Sequence, residues 1–424
     1  MQMKNSGIEW IGEIPDSWKL YKIGSLFGCR NKSVNDTDYP PLSVSKGGIV
    51  PQMDNVAKSG AVDNRKLVLK NDFVINSRSD RKQSCGFSRL DGSVSLINTV
   101  MYVLDENIVL PEYTDLMLKN CGFAEEFYRW GHGIVADLWT TNWQEMKNIV
   151  VPLPPLVVQE KIICRAKIQL AKIDELIANQ QAQIEKLKEY KQSIITEAVT
   201  KGLDKSIPMK DSGIEWLGEI NKNHFVFKLK YLLSAPMMYG ANESGESYAE
   251  NSVRYIRITD ITSDSELKDG EDNLYLTIDK ALPYLLNDGD VLFARSGGTV
   301  GKSFIYRKDY GVCAFAGYLI KAECNKQKLL PQYLYHYTHS SLYELWKNMI
   351  FIQSTIQNIG ANKYSNMEIA CPDMKNQIEI VNYLTIKCSQ IDKLIVLMNQ
   401  KIEKLQEYKK SLIYEYVTGK KEVV

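Results

Sequence analysis

The chain has 424 residues, of which 44% are hydrophobic and 24% charged, and its formal net charge is +1 at pH 7. These values are typical of a folded protein with two domains of ordinary size, and they exclude an intrinsically disordered chain. The near-zero net charge also excludes a uniformly basic protein, so any nucleic-acid surface must be a local patch.

The sequence shows no targeting signal and no disulfide pattern. It has no run of about 18 apolar residues and no apolar core behind a basic start, so we expect a cytoplasmic protein with no membrane partner. Eight cysteines are scattered without a CxxC pair, which favours reduced thiols over a disulfide framework or a zinc knuckle. His336 and His339 have no acidic or cysteine partner at ligand spacing, so the sequence predicts neither a metal nor a cofactor.

Two blocks of the sequence occur twice. The segment 3–14, which contains Gly-Ile-Glu-Trp-Ile-Gly-Glu-Ile, returns almost unchanged at 209–220, and the segment 173–191 returns at 391–409. The stretches between these blocks show no comparable identity. The chain is therefore a tandem duplication in which a repeated framework carries two different inserts.

The repeats predict two mixed domains, each followed by a helical spacer. Within the domains, β-branched runs such as 66–76, 94–104 and 318–322 alternate with helix-like stretches such as 112–130 and 331–349, which predicts an α+β class. The predicted segments are a first domain at 1–158, a first spacer at 159–205, a second domain at 206–376 and a second spacer at 377–424.

Each spacer is predicted to form one long amphipathic helix. Residues 159–200 and 377–418 contain no proline or glycine, and Gly202 and Gly419 follow as stop signals. Apolar residues recur at alternating spacings of four and three, which is the pattern of a coiled-coil seam. The predicted seam consists of Ile173, Ile177, Ile184, Leu187 and Ile194 in the first helix and Ile391, Ile395, Ile402, Leu405 and Leu412 in the second.

We expect the two seams to pair with each other, because each carries a lysine, Lys191 or Lys409, at the matching position. The alternative is two unrelated amphipathic helices, each lying on its own domain. Since the order along the chain is domain, helix, domain, helix, an antiparallel pair needs no long connection. It would close a pseudo-twofold figure, with residues 3–14 beside the end of the second helix near Val417. The predicted fold is therefore two α+β domains separated by an antiparallel two-helix coiled coil.

These features occur together in a known family. They include the paired Gly-Ile-Glu-Trp blocks, the Val-Pro-Leu-Pro-Pro-Leu lead into Gln159, and the Ile-Glu-Lys-Leu-x-Glu-Tyr-Lys helices. With the segments 255–261 and 289–302, their order and duplication closely resemble the specificity subunit of type I restriction-modification systems. The resemblance covers essentially the whole chain.

The resemblance implies two target-recognition domains, each of which reads one part of a split sequence in double-stranded DNA. It also implies that the helices bind methyltransferase subunits and that restriction subunits join the assembly. Adenine methylation and ATP-dependent cleavage would then be carried out by the partners, and this chain would have no catalytic residues. Because the two helices repeat their surfaces, we expect two methyltransferase subunits per chain.

The residues themselves give no sign of catalysis. The chain lacks the Asn/Asp-Pro-Pro-aromatic loop with which an adenine methyltransferase holds its base. The segment 296–303 ends like a Walker A phosphate loop, but Ser296 stands where the first glycine should be, so a DNA-contacting segment or a tight turn is favoured. The rival classes are a scaffold with two protein-binding domains and no DNA role and, third, an enzyme.

Two polar loops are the best candidates for DNA contacts. Residues 76–89 and 295–303 both follow strand-like runs and combine basic side chains with serine, which are types that bind phosphates and base edges. The alternative for each residue is a solvated basic loop. The candidate residues are Ser77, Arg78, Arg81, Lys82 and Arg89 in the first domain and Arg254, Arg257, Arg295, Ser296 and Lys302 in the second.

Overall fold

The computed structural model describes residues 2–52, 64–78, 82–133, 139–262, 265–268, 270, 272–352 and 357–423, with only the backbone of residue 352. The chain divides into two compact units. Unit 1 comprises Met1–Gln181 and Asn399–Val424, and unit 2 comprises Ala182–Met398. No helix in the described ranges is long and apolar enough to cross a membrane. The four segments expected from the sequence stay a prediction.

Unit 1 consists of short strands and short helices, followed by the start of a long helix. Its strands are β1 (Met3–Asn5), β2 (Glu13–Pro15), β3 (Lys19–Lys22), β4 (Phe27–Cys29), β5 (Ser33–Val34), β6 (Leu42–Ser45), β7 (Gly48–Pro51), β8 (Arg65–Val68), β9 (Phe73–Asn76), β10 (Cys85–Phe87), β11 (Gly92–Val94), β12 (Asn98–Val103) and β13 (Val150–Leu153). Its helices are α1 (Ile23–Leu26), α2 (Pro111–Lys119), α3 (Cys121–Arg129), α4 (Trp143–Met146) and the first part of α5 (Leu156–Lys201).

The central sheet of unit 1 has the strand order β10-β9-β12-β4, and a three-stranded sheet has the order β11-β8-β5. Strand β9 is apolar on both faces. Phe73 and Ile75 join the main core with Tyr113 of α2, whereas Val74 joins a smaller cluster with Val100. Because side chains alternate along a strand, burial on both faces requires a continuous apolar run.

Unit 2 has the same types of element. Its strands are β14 (Met209–Asp211), β15 (Glu219–Asn221), β16 (Phe225–Lys228), β17 (Met238–Tyr239), β18 (Ser252–Ile256), β19 (Leu274–Thr277), β20 (Val291–Ala294), β21 (Ser303–Ile305), β22 (Cys313–Phe315), β23 (Leu319–Ala322) and β24 (Glu368–Cys371). Its helices are the rest of α5, then α6 (Ile278–Ala281), α7 (Pro331–Tyr337), α8 (Ser341–Ile352), α9 (Ala361–Ser365) and most of α10 (Met374–Val417), whose end belongs to unit 1.

The central sheet of unit 2 repeats that of unit 1, with the strand order β21-β20-β23-β17. Strand β20 is again buried on both faces, with Val291 and Phe293 in the main core and Leu292 and Ala294 in a second cluster. The three-stranded sheets differ, because β18 pairs with β22 in parallel whereas β8 pairs with both of its neighbours antiparallel. The α+β class with an internal repeat is confirmed.

The long helices α5 and α10 pair antiparallel within each unit. In unit 1, Gln169 and Asp174 of α5 bond Tyr416 and Lys409 of α10, so the partner number falls as the α5 number rises. In unit 2, Lys191 of α5 bonds Asp392 of α10. The pairing predicted from the two seams is confirmed, and unrelated helices on separate domains are excluded.

The predicted seam residues face the interior of each unit to different degrees. The buried ones are Ile173, Ile184, Ile194, Ile391, Ile402 and Leu412. The half-buried ones, which pack against the two main cores, are Ile177, Leu187, Ile395 and Leu405. Both helices end as expected, because Gly202 directly after α5 and Gly419 two residues after the last residue of α10 adopt positive φ values of 73° and 72°.

Each copy of the repeated block, at 3–14 and at 209–220, forms a β-hairpin beside the C-terminal end of a long helix. In unit 1 the hairpin is β1–β2, and the Tyr414 hydroxyl of α10 donates a 2.9 Å hydrogen bond to the Trp10 carbonyl. In unit 2 the hairpin is β14–β15, and Asn221 Nδ2 donates a 2.7 Å bond to the Lys201 carbonyl at the end of α5. The expected position of residues 3–14 near Val417 is confirmed.

A buried glutamine in the first turn of each long helix holds the chain that leads into α2 or α7. Gln159 accepts a hydrogen bond from Leu110 N and donates to the Ile108 and Pro154 carbonyls, each at 2.9 Å. Gln377 makes the same three bonds, with Leu330 N, the Lys328 carbonyl and the Pro372 carbonyl, each at 2.9 Å. Both glutamines are fully buried, so these bonds replace the water that the groups have lost.

The helix-like stretches 112–130 and 331–349 are helical, and a buried polar residue divides each of them into two helices. At 112–130, Asn120 separates α2 from α3, because its side chain accepts from Phe123 N and donates to the Met117 carbonyl. At 331–349, Ser340 separates α7 from α8 by bonding the Tyr337 carbonyl. Such side chains compete with the helical bonds of the backbone, and apolar spacing alone does not reveal this.

Candidate nucleic-acid interface

The two candidate loops connect equivalent strands of the two central sheets. Residues 77–84 join β9 to β10, and residues 295–302 join β20 to β21. The neighbouring strand, β12 or β23, pairs with this hairpin up to Asn76 in unit 1 and up to Ala294 in unit 2. The two loops therefore begin at equivalent points of the two central sheets.

Backbone contacts align the two loops residue by residue. Ser77 corresponds to Arg295 and Arg78 corresponds to Ser296, so serine and arginine have exchanged places. In unit 1, Thr141 N donates to the Ser77 carbonyl at 3.0 Å, and Arg78 forms a β-bridge with Thr140. In unit 2, Ile359 N donates to the Arg295 carbonyl at 2.9 Å, and Ser296 forms a β-bridge with Asn358.

In unit 1, Ser77 and Arg78 line an open groove of about 420 Å³. The Ser77 hydroxyl lies 3.0 Å from that of Thr99, and Lys66 lies in the same groove, where its ammonium donates to the Asn98 carbonyl at 2.8 Å. Arg78 is exposed, and within the described ranges its guanidinium has no hydrogen-bond acceptor or carboxylate partner. Among the described residues, the groove therefore offers hydroxyl groups, an ammonium group and an unpaired guanidinium to a ligand.

Of the other candidates of unit 1, Lys82 lines a separate pocket together with Ser77 and Arg78, whereas Arg89 lies elsewhere. Lys82 forms an exposed ion pair with Glu125, with 3.3 Å between Nζ and Oε2. Arg89 follows β10 at the opposite end of the hairpin from Arg78, in a second groove that α5 also lines. Arg81 lies outside the described residues. The structure thus groups Ser77 with Arg78 and separates both from Arg89.

In unit 2, Arg295 makes a cation–π contact with an aromatic ring. Its guanidinium carbon lies 5.0 Å from the ring centroid of Tyr239, and the Tyr239 hydroxyl accepts a 2.9 Å hydrogen bond from Ala361 N. Ser296 is half-buried at the next position, and Lys302 is exposed at the other end of the loop, just before β21. Arg295, Ser296 and Lys302 therefore all belong to one hairpin end.

Arg254 and Arg257 lie on and after β18, and their donors bond groups within unit 2. Arg254 Nη2 donates to the Lys268 carbonyl and, at 3.2 Å, to Asn273 Oδ1. Arg257 holds the Asp260 carboxylate with two bonds of 3.2 and 2.8 Å, which raise the pKa of the guanidinium. Both side chains stabilise the local structure, and their contact with DNA stays a prediction.

The glycine-rich loop of unit 2 differs from a phosphate-binding loop. Gly297–Thr299 forms a single 3-10 turn, and the residue after Lys302 begins strand β21. A phosphate loop needs a helix at this point, because the N–H groups of its first turn bind the anion. Among the described residues, no group of three or more His, Cys, Asp or Glu side chains could hold a metal ion.

Sequence reasoning missed Lys66 and Tyr239. Lys66 belongs to β8, and its burial lowers the pKa of its ammonium group. Tyr239 belongs to β17, which reaches the candidate loop only because β23 lies between β17 and β20 in the sheet. No local pattern marks either residue, because each is brought to its loop by strand pairing between distant segments.

Comparison with known proteins agrees with this organisation. Residues 226–407 match the family model described as the type I restriction modification DNA specificity domain. The MjaVIII specificity subunit of Methanocaldococcus jannaschii is 26% identical over 284 residues, which cover 65% of this chain and 62% of that subunit. The putative MjaX specificity subunit of the same organism is 22% identical, and the match covers 97% of this chain and 95% of the relative. The chain thus spans less than two thirds of the first relative and nearly all of the second.

A solved chain from a structural study of complex assembly and conformational transition in the type I R-M system has the same fold. The TM-score is 0.71 at 14% identity, and the superposition covers 95% of this chain and 98% of that one. The family model, the curated relatives, the shared fold and the duplicated motifs all agree. Residues 226–407 therefore match the DNA specificity domain of type I restriction-modification systems, and the chain as a whole is similar to the specificity subunits of those systems.

Proposed function

We propose that this chain selects the DNA target of a type I restriction-modification complex and that each unit reads one part of a split sequence. The observation that carries the proposal is the contrast between the two central sheets. They have the same strand order, yet their equivalent hairpin ends carry different side chains. A repeated framework with unlike polar ends is suited to the recognition of two unlike sequences by one kind of scaffold.

The chemistry of the hairpin ends supports a nucleic-acid ligand over a protein ligand. Arg78 and Arg295 present guanidinium groups without an acceptor among the described residues, and a serine stands beside each. Arginine and serine bond phosphate oxygens and base edges, and arginine is the commonest specific reader of guanine. An arginine beside a serine at each hairpin end favours DNA as the ligand. A scaffold that binds proteins would be expected to have exposed apolar patches at these ends.

Partner subunits would supply the chemistry of adenine methylation and ATP-dependent cleavage. The loop that resembles a phosphate-binding motif runs into a strand, which supports a role in DNA contact or turn formation for Lys302. We therefore propose that the chain is not itself an enzyme. Its contribution to both reactions is to place the partner subunits on a chosen DNA sequence.

Repeated apolar residues on the long helices support two equivalent docking places for methyltransferase subunits. Ile168 and Leu176 of α5 are 50% and 49% exposed, and their repeats Ile386 and Leu394 of α10 are 59% and 49% exposed. Residues eight apart lie about 80° apart around a helix, so each pair occupies one face. Large apolar side chains left in water at matching positions are typical of protein–protein contacts.

Native mass spectrometry of the reconstituted complex tests this stoichiometry. The wild-type chain should bind two methyltransferase subunits, and Leu176→Glu or Leu394→Glu alone should leave one bound. A wild-type complex that holds only one subunit at saturation would contradict the two docking places, whatever the variants do.

The methylated bases of host DNA test the function itself. Sequencing of modified adenines should find a two-part motif in cells that express the chain together with its methyltransferase, and the motif should vanish when only the gene for this chain is deleted. If the motif persists without the chain, another protein selects the target and the proposal is wrong.

A further inference from the structure

Unit 2 contains four arginines, and the donors of three of them are already used within the unit. The four are Arg254, Arg257, Arg295 and Arg307. Arg254 and Arg257 bond the groups described above, and Arg307 Nη2 donates to the Glu266 carboxylate at 3.3 Å. In the described part of unit 2, the Arg295 guanidinium alone has no acceptor. Arg295 is therefore the arginine of unit 2 that can offer its full set of N–H groups to a ligand.

The position of Arg295 is fixed from both sides. Its backbone N–H donates to the Tyr318 carbonyl at 2.9 Å, and its carbonyl accepts from Ile359 N at 2.9 Å. Its guanidinium lies over the Tyr239 ring in a cation–π contact, and the Tyr239 hydroxyl is in turn held by Ala361 N. Cation–π attraction holds the guanidinium near the ring without occupying a hydrogen-bond acceptor, so the N–H groups remain available to a ligand.

A fixed, planar fork of N–H groups matches a base edge better than a phosphate. Phosphates need positive charge in roughly the right place, which an exposed and flexible side chain such as Lys302 supplies. A base edge needs orientation, and the paired N7 and O6 acceptors of guanine accept two parallel N–H donors in the major groove. The aromatic support under Arg295 supplies that orientation and contributes no charge.

We propose that Arg295 reads a guanine in the part of the target that unit 2 recognises and that Tyr239 is the residue that positions it. The proposal rests on the proposed function and deepens it, because it assigns one base and one reader. It also separates the arginines of unit 2 into one that reads DNA and three that maintain the fold.

Selection from randomised duplexes tests the assignment. The full chain, reconstituted with the methyltransferase subunits of its host, is offered a pool of duplexes randomised across the target, and bound sequences are counted. The wild-type chain should enrich guanine at one position in one part of the motif. Arg295→Gln should reduce that preference about 5- to 150-fold and leave the other positions unchanged, which corresponds to about 1–3 kcal/mol at 1.4 kcal/mol per tenfold.

Further variants distinguish the base contact of Arg295 from its positive charge and from the positioning role of Tyr239. Arg295→Lys keeps the charge but loses the fork, so it should relax the same position. Tyr239→Ala should relax it in part, whereas Tyr239→Phe keeps the ring and should preserve the preference for guanine. Arg307→Gln is the matched control, because it removes an arginine that is already paired, and it should leave the motif unchanged.

Three other outcomes have distinct meanings. If Arg295→Gln weakens binding to all sequences equally, Arg295 is a phosphate contact and the guanine assignment is overturned. If Arg295→Gln changes neither the affinity nor the motif, Arg295 is a bystander and the inference is wrong. If the wild-type complex enriches no sequence at all, the proposed function itself fails.

Discussion

The hairpin ends of unit 1 and unit 2 share a backbone and differ in chemistry. Ser77-Arg78 in unit 1 stands where unit 2 has Arg295-Ser296. Because successive residues of an extended segment face opposite sides, the exchange carries the arginine from one face of the segment to the other. In unit 1 the arginine shares a groove with Lys66, and in unit 2 it lies over a tyrosine ring.

Behind these ends, the two units keep one buried glutamine in common. Gln159 and Gln377 bond corresponding backbone groups at equal distances, although the segments that carry those groups differ in sequence. A buried amide cannot exchange its partners for water, whereas an exposed side chain can be replaced at little cost in stability. The comparison shows that this buried glutamine and its three bonds are the same in both units, whereas the side chains at the hairpin ends differ.

The largest effect is expected when one of the two glutamines is removed. Gln159→Leu leaves one N–H and two carbonyls without their partner inside unit 1, which should cost about 3 kcal/mol of unfolding free energy. Gln377→Leu should cost unit 2 a similar amount. Hydrogen exchange followed by mass spectrometry should show lost protection chiefly in the unit that carries the substitution.

A surface glutamine of α5 provides the control for this experiment. Gln183 is exposed, so Gln183→Leu should leave protection in both units unchanged. Equal loss of protection in both units after Gln159→Leu alone would contradict the expectation that each glutamine stabilises its own unit.

A smaller effect is expected from acid, and it should fall on unit 2. Burial lowers the pKa of His224 to about 4, with Lys210 adding to the effect and Asp373 opposing it. Burial, His339 and Lys191 lower the pKa of His336 to about 4 as well.

The direction of the change in stability with pH depends on whether the folded or the unfolded state binds more protons. The folded state keeps both imidazoles neutral, whereas the unfolded chain takes up protons below about pH 6.5, so stability is lost as the pH falls from 6.5 towards 4. Each histidine should lower the unfolding free energy of unit 2 by on the order of 2 kcal/mol by pH 5. Protection from hydrogen exchange at pH 7 and pH 5 measures the loss in each unit.

The equivalent position of unit 1 supplies the matched variant. Trp18 is buried where unit 2 has His224, so His224→Trp introduces the side chain that the other unit already uses. This variant should lose less stability between pH 7 and pH 5 than the wild-type chain. An unchanged pH dependence in both His224→Trp and His336→Gln would rule out these histidines as the cause.

A third prediction exchanges the residue order at one hairpin end. The double variant Ser77→Arg with Arg78→Ser gives unit 1 the order of unit 2, and it should change base preference by about 1–3 kcal/mol at one position. The change should be confined to the part of the target that unit 1 reads. Sequencing of methylated adenines detects it, and a change in both parts of the motif would show that the units do not read independently.

The repeated framework could be predicted from the sequence, and the unlike parts could not. The apolar seams, with Lys191 and Lys409 at matching positions, predicted that the two long helices pair. The order of domains and helices along the chain then predicted an antiparallel pair, because a parallel pair would need a long connection. The breaks at Asn120 and Ser340 were missed because a capping side chain overrides apolar spacing. Tyr239 was missed because its neighbours are set by strand order, which a single sequence does not display.

The smallest effect is expected from two reciprocal ion pairs that join the repeats. Lys191 of α5 meets Asp392 of α10 at 2.7 Å in unit 2, and Lys409 of α10 meets Asp174 of α5 at 2.5 Å in unit 1. The same lysine and the same aspartate of the repeat are used, with the helices exchanged. Since the lysine side chains are 30% and 33% exposed and the aspartates 51% and 55%, solvent screening should be nearly equal in the two units.

Double-mutant cycles with alanine at each pair should therefore give two nearly equal coupling energies, each about 0.3–1 kcal/mol at low salt. Both should shrink together as salt is added, because exposed charges are screened by ions. The charge-exchanged variant Lys191→Asp with Asp392→Lys should recover most of the stability lost by either substitution alone. If a coupling is found in one unit and is absent from the other, the two ion pairs are equivalent in sequence but not in energy. The equivalent pairing of the helices in the two units would then depend on the apolar seam alone.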